Sequence, residues 1–145
     1  MKINIEQSNS CTEVEITIKC SSVDESLEKL ISSIRLYSST ISGKKEDNVF
    51  FLKPEDVLYF DTVDERVFIY TADNVYETSL KLYELEERFM GTSIIRVSKS
   101  TVLNLVKIKY VSPLLNGRIE AVLQNGEKVI ISRQYVASFK KKLGF

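Results

Sequence analysis

Two Asn-Gly pairs, Asn116-Gly117 and Asn125-Gly126, constrain this chain more than any other feature. A type I′ hairpin turn needs positive φ at both central residues, and Asn followed by Gly adopts it at low steric cost. Strand-like sequence flanks both pairs. Val106, Ile108 and Tyr110 alternate with Lys107, Lys109 and Val111 before the first; residues 118–123 lie between the pairs and 128–131 after the second. Turns and pattern predict a three-stranded antiparallel meander, its first strand basic on the outer face. The same texture occurs upstream, where residues 49–52, 57–62, 67–71 and 75–78 read as strands parted by polar turns.

Two short helices interrupt the strands. Ser79 is placed to cap one whose stripe Leu82, Leu85, Phe89 faces inward while Glu84, Glu86 and Glu87 face water. Gly91 suits its left-handed end. Ser132 precedes a basic helix over 133–143, with Tyr135, Val136, Phe139 and Leu143 on the inner face. Lys140, Lys141 and Lys142 fall in its last turn, where the helix dipole favours cations, and that alone accounts for them.

The N-terminal part reads differently. Residues 2–7 and 12–19 alternate apolar and polar around a turn-like Asn9-Ser10, which predicts a hairpin. Ser22 with Glu25 has the form of a capping box, and Val23, Leu27, Leu30, Ile31 and Ile34 make an amphipathic helix over 23–38. Such a ββα unit is too small to stand alone and must pack on the rest of the chain or on a second copy. Polar residues 43–48 read as a linker. The expected class is α+β: a small ββα unit over 1–47, then a mostly antiparallel β domain with two short helices over 48–145.

Composition removes several functions. Hydrophobic residues at 43% and charged residues at 28% are ordinary globular values. No apolar run approaches a membrane span, and the first residues lack the apolar core of a signal peptide. Cys11 and Cys20 without such a signal fit a reducing cytoplasm. With no His and only two Cys, the commonest general base and a credible metal site are both missing. No nucleophile–base pair or phosphate loop is visible, so the reading is not an enzyme and calls for no cofactor.

The net charge of zero hides an asymmetry. Residues 48–95 carry four cations against ten carboxylates, residues 96–145 ten cations against two, and residues 1–47 six against eight. The balances are therefore −6, +8 and −2, which close at zero. A basic C-terminal third in a neutral protein points to a polyanion, although Lys and Arg on a solvated face give the same count.

Residues 95–104 connect charge to geometry. Ile95-Arg96-Val97 is strand-like, Ser98-Lys99-Ser100-Thr101 offers donors on a cationic tip, and Val102-Leu103 returns inward before Asn104. The plain alternative is a solvated loop between two strands.

Taken together these segments resemble the LytTR family, the DNA-binding output domain of many bacterial transcription regulators. The resemblance runs through nearly all of 48–145. It rests on Val57-Leu58-Tyr59-Phe60-Asp61, Leu82-Tyr83-Glu84-Leu85-Glu86, the Arg96, Ser98 and Asn104 spacing, and Asn125-Gly126-Glu127 followed by Ile131-Ser132-Arg133-Gln134-Tyr135. Ser98 stands where the family often has His. Residues 62–66, which the family sets against DNA, are acidic here with Arg66 the sole cation. Residues 1–47 match no receiver domain and are similar to the extension of short stand-alone LytTR regulators.

The resemblance implies an elongated β fold that inserts loops into successive major grooves of double-stranded DNA and regulates transcription. Lys99, Arg133 and, in the equivalent loop, Arg66 are the base-contact candidates, since long cations can reach guanine O6 and N7. Lys107, Lys109 and Arg118 read as phosphate contacts, with Ser98 and Ser100 beside them. Arg96 and Asn104 are expected to brace the loop, Arg96 having a surface ion pair with the acidic helix as its alternative. Residues 1–47 are a candidate dimerisation arm of a homodimer. A small membrane-protein partner follows from family analogy only, without membrane insertion of this chain. The competing class is a β-rich protein-interaction or ligand-binding module with no nucleic-acid role.

Overall fold

The computed structural model describes residues 1–145 other than Glu13, Ser38 and Ser39. Two antiparallel sheets form the body. The larger contains β1 (Ile41–Lys45), β2 (Asn48–Leu52), β3 (Val57–Val63), β4 (Arg66–Thr71), β5 (Val75–Thr78), β6 (Ile94–Arg96) and β7 (Thr101–Asn104), in the order β2-β1-β5-β4-β3-β7-β6. The smaller is the meander β8 (Ile108–Pro113), β9 (Ile119–Leu123) and β10 (Lys128–Ile131), in the order β10-β9-β8. Three helices accompany them: α1 (Glu25–Tyr37), α2 (Leu82–Arg88) and α3 (Val136–Leu143).

Alternation along β7, together with a register shift in β3 between Val57 and Tyr59, builds a core on each face of the large sheet. On one face Phe60 and Val102 pack with Leu82, Leu85 and Phe89 from α2 and its end, and with Leu36 from α1. On the other, Leu58 and Leu103 meet Ile119, Leu123 and Ile131 of the small sheet and Phe139 of α3. Phe60, Phe89 and Phe139 are fully buried; each such side chain contributes about 1.5–3 kcal/mol. The small sheet and α3 are thereby fixed to the large sheet through β3 and β7, next to the loop between β6 and β7.

The mostly antiparallel domain with two short helices matches the expected class, but its N-terminal portion does not. Among the described residues 1–24 no strand is formed, and Ile3, Ile5, Val14, Ile16 and Ile18 are exposed. Alternation makes a strand only where a partner supplies the ladder, and no described strand pairs with these residues. The expected helix exists, but its cap is Asp24, whose Oδ1 accepts from Leu27 N at 2.8 Å, in place of Ser22. Glu13 of the expected second strand and Ser38 of the expected helix lie outside the described residues.

Residues 43–48 are no linker. Gly43, Lys44 and Lys45 belong to β1, which pairs with β2 from Ile41↔Leu52 to Lys45↔Asn48 and with β5 at Lys44↔Glu77. Gly43 is required there, because a Cβ at this position would come 2.8 Å from Cβ of Tyr76. Helix α1 docks on the same body: Leu36 is buried, Leu27, Ile31 and Ile34 are half-buried, and Arg35 Nη1 donates to Gly91 O at 3.2 Å. Val23 and Leu30 remain exposed.

Smaller departures are local. Lys81, and not Ser79, stands at the start of α2, with its N–H donating to Glu84 Oε1 at 3.2 Å. Val106 falls in a single 3-10 turn, and the β8–β9 register shifts between Ile108 and Tyr110, so Val106 and Tyr110 are exposed. The expected helix over 133–143 begins with a 3-10 turn, and only Val136–Leu143 is α-helical.

Candidate nucleic-acid interface

The turn between β6 and β7 comprises Val97 to Ser100 and is held from several sides. Val97 N donates to Thr101 O at 3.0 Å, and Ser100 N to Ser98 Oγ at 3.2 Å. From β3, Thr62 N donates to Ser100 O at 2.9 Å. Arg96 lies behind the turn: its Nε donates to Ser98 O at 2.7 Å and its Nη2 to Lys99 O at 2.5 Å. The third contact, Nη1 to Glu86 Oε2 at 3.2 Å, ties the same guanidinium to α2. Loop bracing and the helix ion pair were alternatives for Arg96 in the sequence; one planar fork of five donors performs both.

The small sheet delivers the facing wall. Ser132, just after β10, donates to Val97 O through its N at 2.9 Å and its Oγ at 3.3 Å. The turn between β8 and β9 carries positive φ at Asn116 (67°) and Gly117 (74°), the conformation the Asn-Gly pair favours. The Arg133 stem lies against this turn, its Cγ and Cδ 3.4 Å from where a Cβ on Gly117 would stand, an ordinary van der Waals distance.

These elements enclose an open cleft of about 740 Å3, lined by Ser98, Lys99 and Ser100 on one side, Asn116 and Arg118 on another, and Ser132, Arg133 and Gln134 on the third. Lys99, Arg118 and Arg133 are exposed, and none forms an ion pair with a described residue. The cleft therefore has three free cations, a rim of hydroxyls and amides, and no carboxylate among its lining residues. A multiply anionic ligand that also presents hydrogen-bond acceptors is its chemical complement.

Of the residues singled out in the sequence, Lys99, Arg133, Ser98, Ser100 and Arg118 meet here, with Arg96 as their support. Asn116, Ser132 and Gln134 were not candidates; the Asn-Gly turn that positions Asn116 was visible only as a turn. Asn104 is elsewhere and fully buried at the opposite end of β7. Its Nδ2 donates to Val57 O at 2.8 Å and its Oδ1 accepts from Ser93 Oγ at 3.2 Å, so it holds the start of β3 and reaches neither the loop nor a phosphate. Lys107 and Lys109 lie near the Ile108↔Leu123 end of the small sheet, whereas the cleft adjoins its Pro113↔Ile119 end.

Arg66, the first residue of β4 after the turn next to the cleft, is engaged. It forms a bidentate pair with Glu77, at 2.8 Å from Nε and 2.7 Å from Nη2, and its guanidinium lies 5.3 Å from the Phe68 ring centroid. The hydrogen bond and charge of Glu77 raise the Arg66 pKa, and the same hydrogen bond holds the Glu77 carboxyl below its ordinary range. Away from the cleft, Tyr59 stacks on Tyr70 at 4.3 Å. Burial first, then Glu127, pushes the Tyr59 phenol far above its ordinary value. Burial, with Asp61 and Glu127, raises Tyr70 in the same direction.

The model of the LytTr DNA-binding domain family matches residues 47–144, and the chain belongs to that family. A solved LytTr DNA-binding domain from Bacillus cereus superposes with a TM-score of 0.71 at 26% identity, covering 74% of this chain and 99% of the other. Sensory transduction protein LytT of Enterococcus faecalis is 33% identical over 107 residues, which are 74% of this chain and 44% of LytT. An uncharacterized HTH-type transcriptional regulator of Staphylococcus aureus (strain NCTC 8325 / PS 47) is 27% identical over 145 residues, covering 99% of this chain and 98% of the relative.

Proposed function

We propose that the chain binds double-stranded DNA sequence-specifically by setting the loop at residues 98–100 and the segment at 132–134 into a major groove, and regulates transcription in the bacterial cytoplasm. The observation that carries this reading is the convergence of Lys99, Arg118 and Arg133, unpaired with any described carboxylate, around one cleft. Lys99 and Arg133 read base edges, Arg118 a phosphate, and Arg96 keeps the loop in shape. Lys107 and Lys109, on the far end of the small sheet, contact flanking phosphates. Family membership and the B. cereus domain support the DNA partner. Loops in place of a recognition helix suit a chain whose three described helices are separated from one another by strands, with no two consecutive. Arg66 joins the base readers only by exchanging Glu77 for a guanine. The active species is a homodimer on paired half-sites. Residues 1–47 form its N-terminal extension, with β1 built into the large sheet and Leu36 of α1 in its core, and a small membrane protein is a partner on family analogy alone.

A gel shift on genomic fragments over a series of salt concentrations tests the reading. Contacts to about five phosphates give a log–log slope near −4 to −5. A slope near zero, or binding no tighter than that of a neutral control protein, overturns it.

A further inference from the structure

The two edges of the large sheet are treated differently. Edge strand β6 is three residues long, packs against α2, and continues into the Val97 carbonyl held by Ser132. Edge strand β2 is bare: Val49 is 58% exposed, Phe50 39% and Phe51 76%, and no register shift interrupts its pairing with β1. It contains no proline and no inward-pointing charge, the devices by which sheet edges are protected from pairing.

We propose that β2 is the docking strand for a second copy of this chain, the two copies pairing β2 to β2 antiparallel about a two-fold axis through Phe50. The register follows from the hairpin. Lys45↔Asn48 closes the two-residue turn to β1, so Asn48, Phe50 and Leu52 direct their backbone polar groups toward β1. Among the described strands, the N–H and C=O groups left without a ladder partner are those of Val49 and Phe51.

Centring the axis on Phe50 sets Val49 of each copy opposite Phe51 of the other, so these free groups satisfy one another. The same register puts an aromatic side chain across from a β-branched one, a favourable cross-strand pair. One step further out, Asp47 of each copy faces Lys53 of the other, so the charges flanking the strand complement themselves twice. Moving the axis to Val49 or Phe51 loses both matches. The contact leaves the cleft open in each copy, since β7 is five strands away from β2 in the sheet order.

The proposal deepens the homodimer reading above and places its contact at β2, since the α1 stripe already rests on its own domain. Two five-residue strands bury less than the roughly 1,200 Å2 of a stable interface, so the free protein dimerises weakly, with Kd on the order of 100 µM. Sedimentation of the full chain without DNA, over concentrations bracketing that value, is expected to show a monomer–dimer equilibrium. Phe51→Lys, at a position too exposed to disturb folding, is expected to weaken it at least about tenfold by placing a charge in the paired face.

Position 50 is a non-hydrogen-bonded pair with Cα atoms about 4.5 Å apart, within disulfide range. In a Cys11→Ser, Cys20→Ser background, Phe50→Cys is expected to give a disulfide-linked dimer on mild oxidation and Val49→Cys far less. A wild type that stays monomeric up to millimolar concentration overturns the proposal. So does a dimer that Phe51→Lys leaves intact, or one in which Val49→Cys cross-links as readily as Phe50→Cys. Because no DNA enters these measurements, failure of the DNA reading shows separately, as a dimer that binds no DNA.

Discussion

Lys99, in the β6–β7 turn, and Arg66, at the start of β4 beside the β3–β4 turn, are cations at neighbouring turns joined through Thr62 N and Ser100 O at 2.9 Å, yet they stand in opposite states. The backbone of the Lys99 turn is held by Arg96, Thr62 and Thr101, and its side chain forms no ion pair with a described residue. Arg66 has its side chain held by Glu77, a diagonal neighbour on β5 reached because Phe68 pairs with Glu77 in the register. The difference teaches that a cation at a turn keeps a free side chain when other residues do the bracing. At the first turn Arg96 is the brace and the Lys99 side chain is left for a ligand; at the second, Arg66 is bound to its own sheet.

The sharpest way to break this comparison is to remove the readers. Lys99→Ala and Arg133→Ala are each expected to cost about 1–3 kcal/mol of DNA affinity and to relax preference at one base position, measured by titration against a randomised site library. If Lys99→Ala leaves affinity and preference intact, the cleft is not where bases are read. Lys107→Ala, distant from the cleft, is expected to weaken all sequences alike and to flatten the salt slope by about one unit.

Removing the brace should act through the reader. Arg96→Ala is expected to weaken specific binding by about 1 kcal/mol, the scale of re-ordering a released side chain. Arg96→Lys should not restore it, because an ammonium cannot donate in a fork to the Ser98 and Lys99 carbonyls. A full rescue by Lys would show that only the charge matters.

The smallest effect is expected at the held arginine. Arg66→Ala should leave DNA affinity nearly unchanged, whereas Glu77→Gln should free Arg66 and strengthen binding. Acid offers the same release without mutation. The Glu77 carboxyl is lowered in the folded protein, so its contribution is present above the ordinary glutamate range and lost as pH falls through the lowered value. NMR titration of the Glu77 carboxyl should follow that direction. A carboxyl titrating at or above the ordinary glutamate value would show that the pair does not form in solution.

Legibility in the sequence divides along the same line. Turns whose chemistry is local were visible: the α2 stripe, a cationic tip between two apolar strands, and the Asn-Gly pairs as turns, although only Asn116 has the positive φ of a type I′ turn and Asn125 does not. Features whose partner comes from elsewhere were not. Residues 43–48 are polar and read as a linker, and they become a strand only because β2 and β5 supply the ladder. Residues 2–7 and 12–19 have the alternation and no ladder. Asn104 looks like a turn residue, yet its carboxamide satisfies the Val57 carbonyl far along the chain. Arg66 looked free because Glu77 is brought beside it only by the β4–β5 register.

The Val97 carbonyl, which receives both donors of Ser132, has a kinetic consequence. It joins the two walls of the cleft before any ligand arrives, so no segment of the cleft has to be ordered during encounter. Association should then be a single concentration-dependent step whose rate is governed by electrostatic steering and falls as salt is added, while base identity expresses itself in how long the complex lasts.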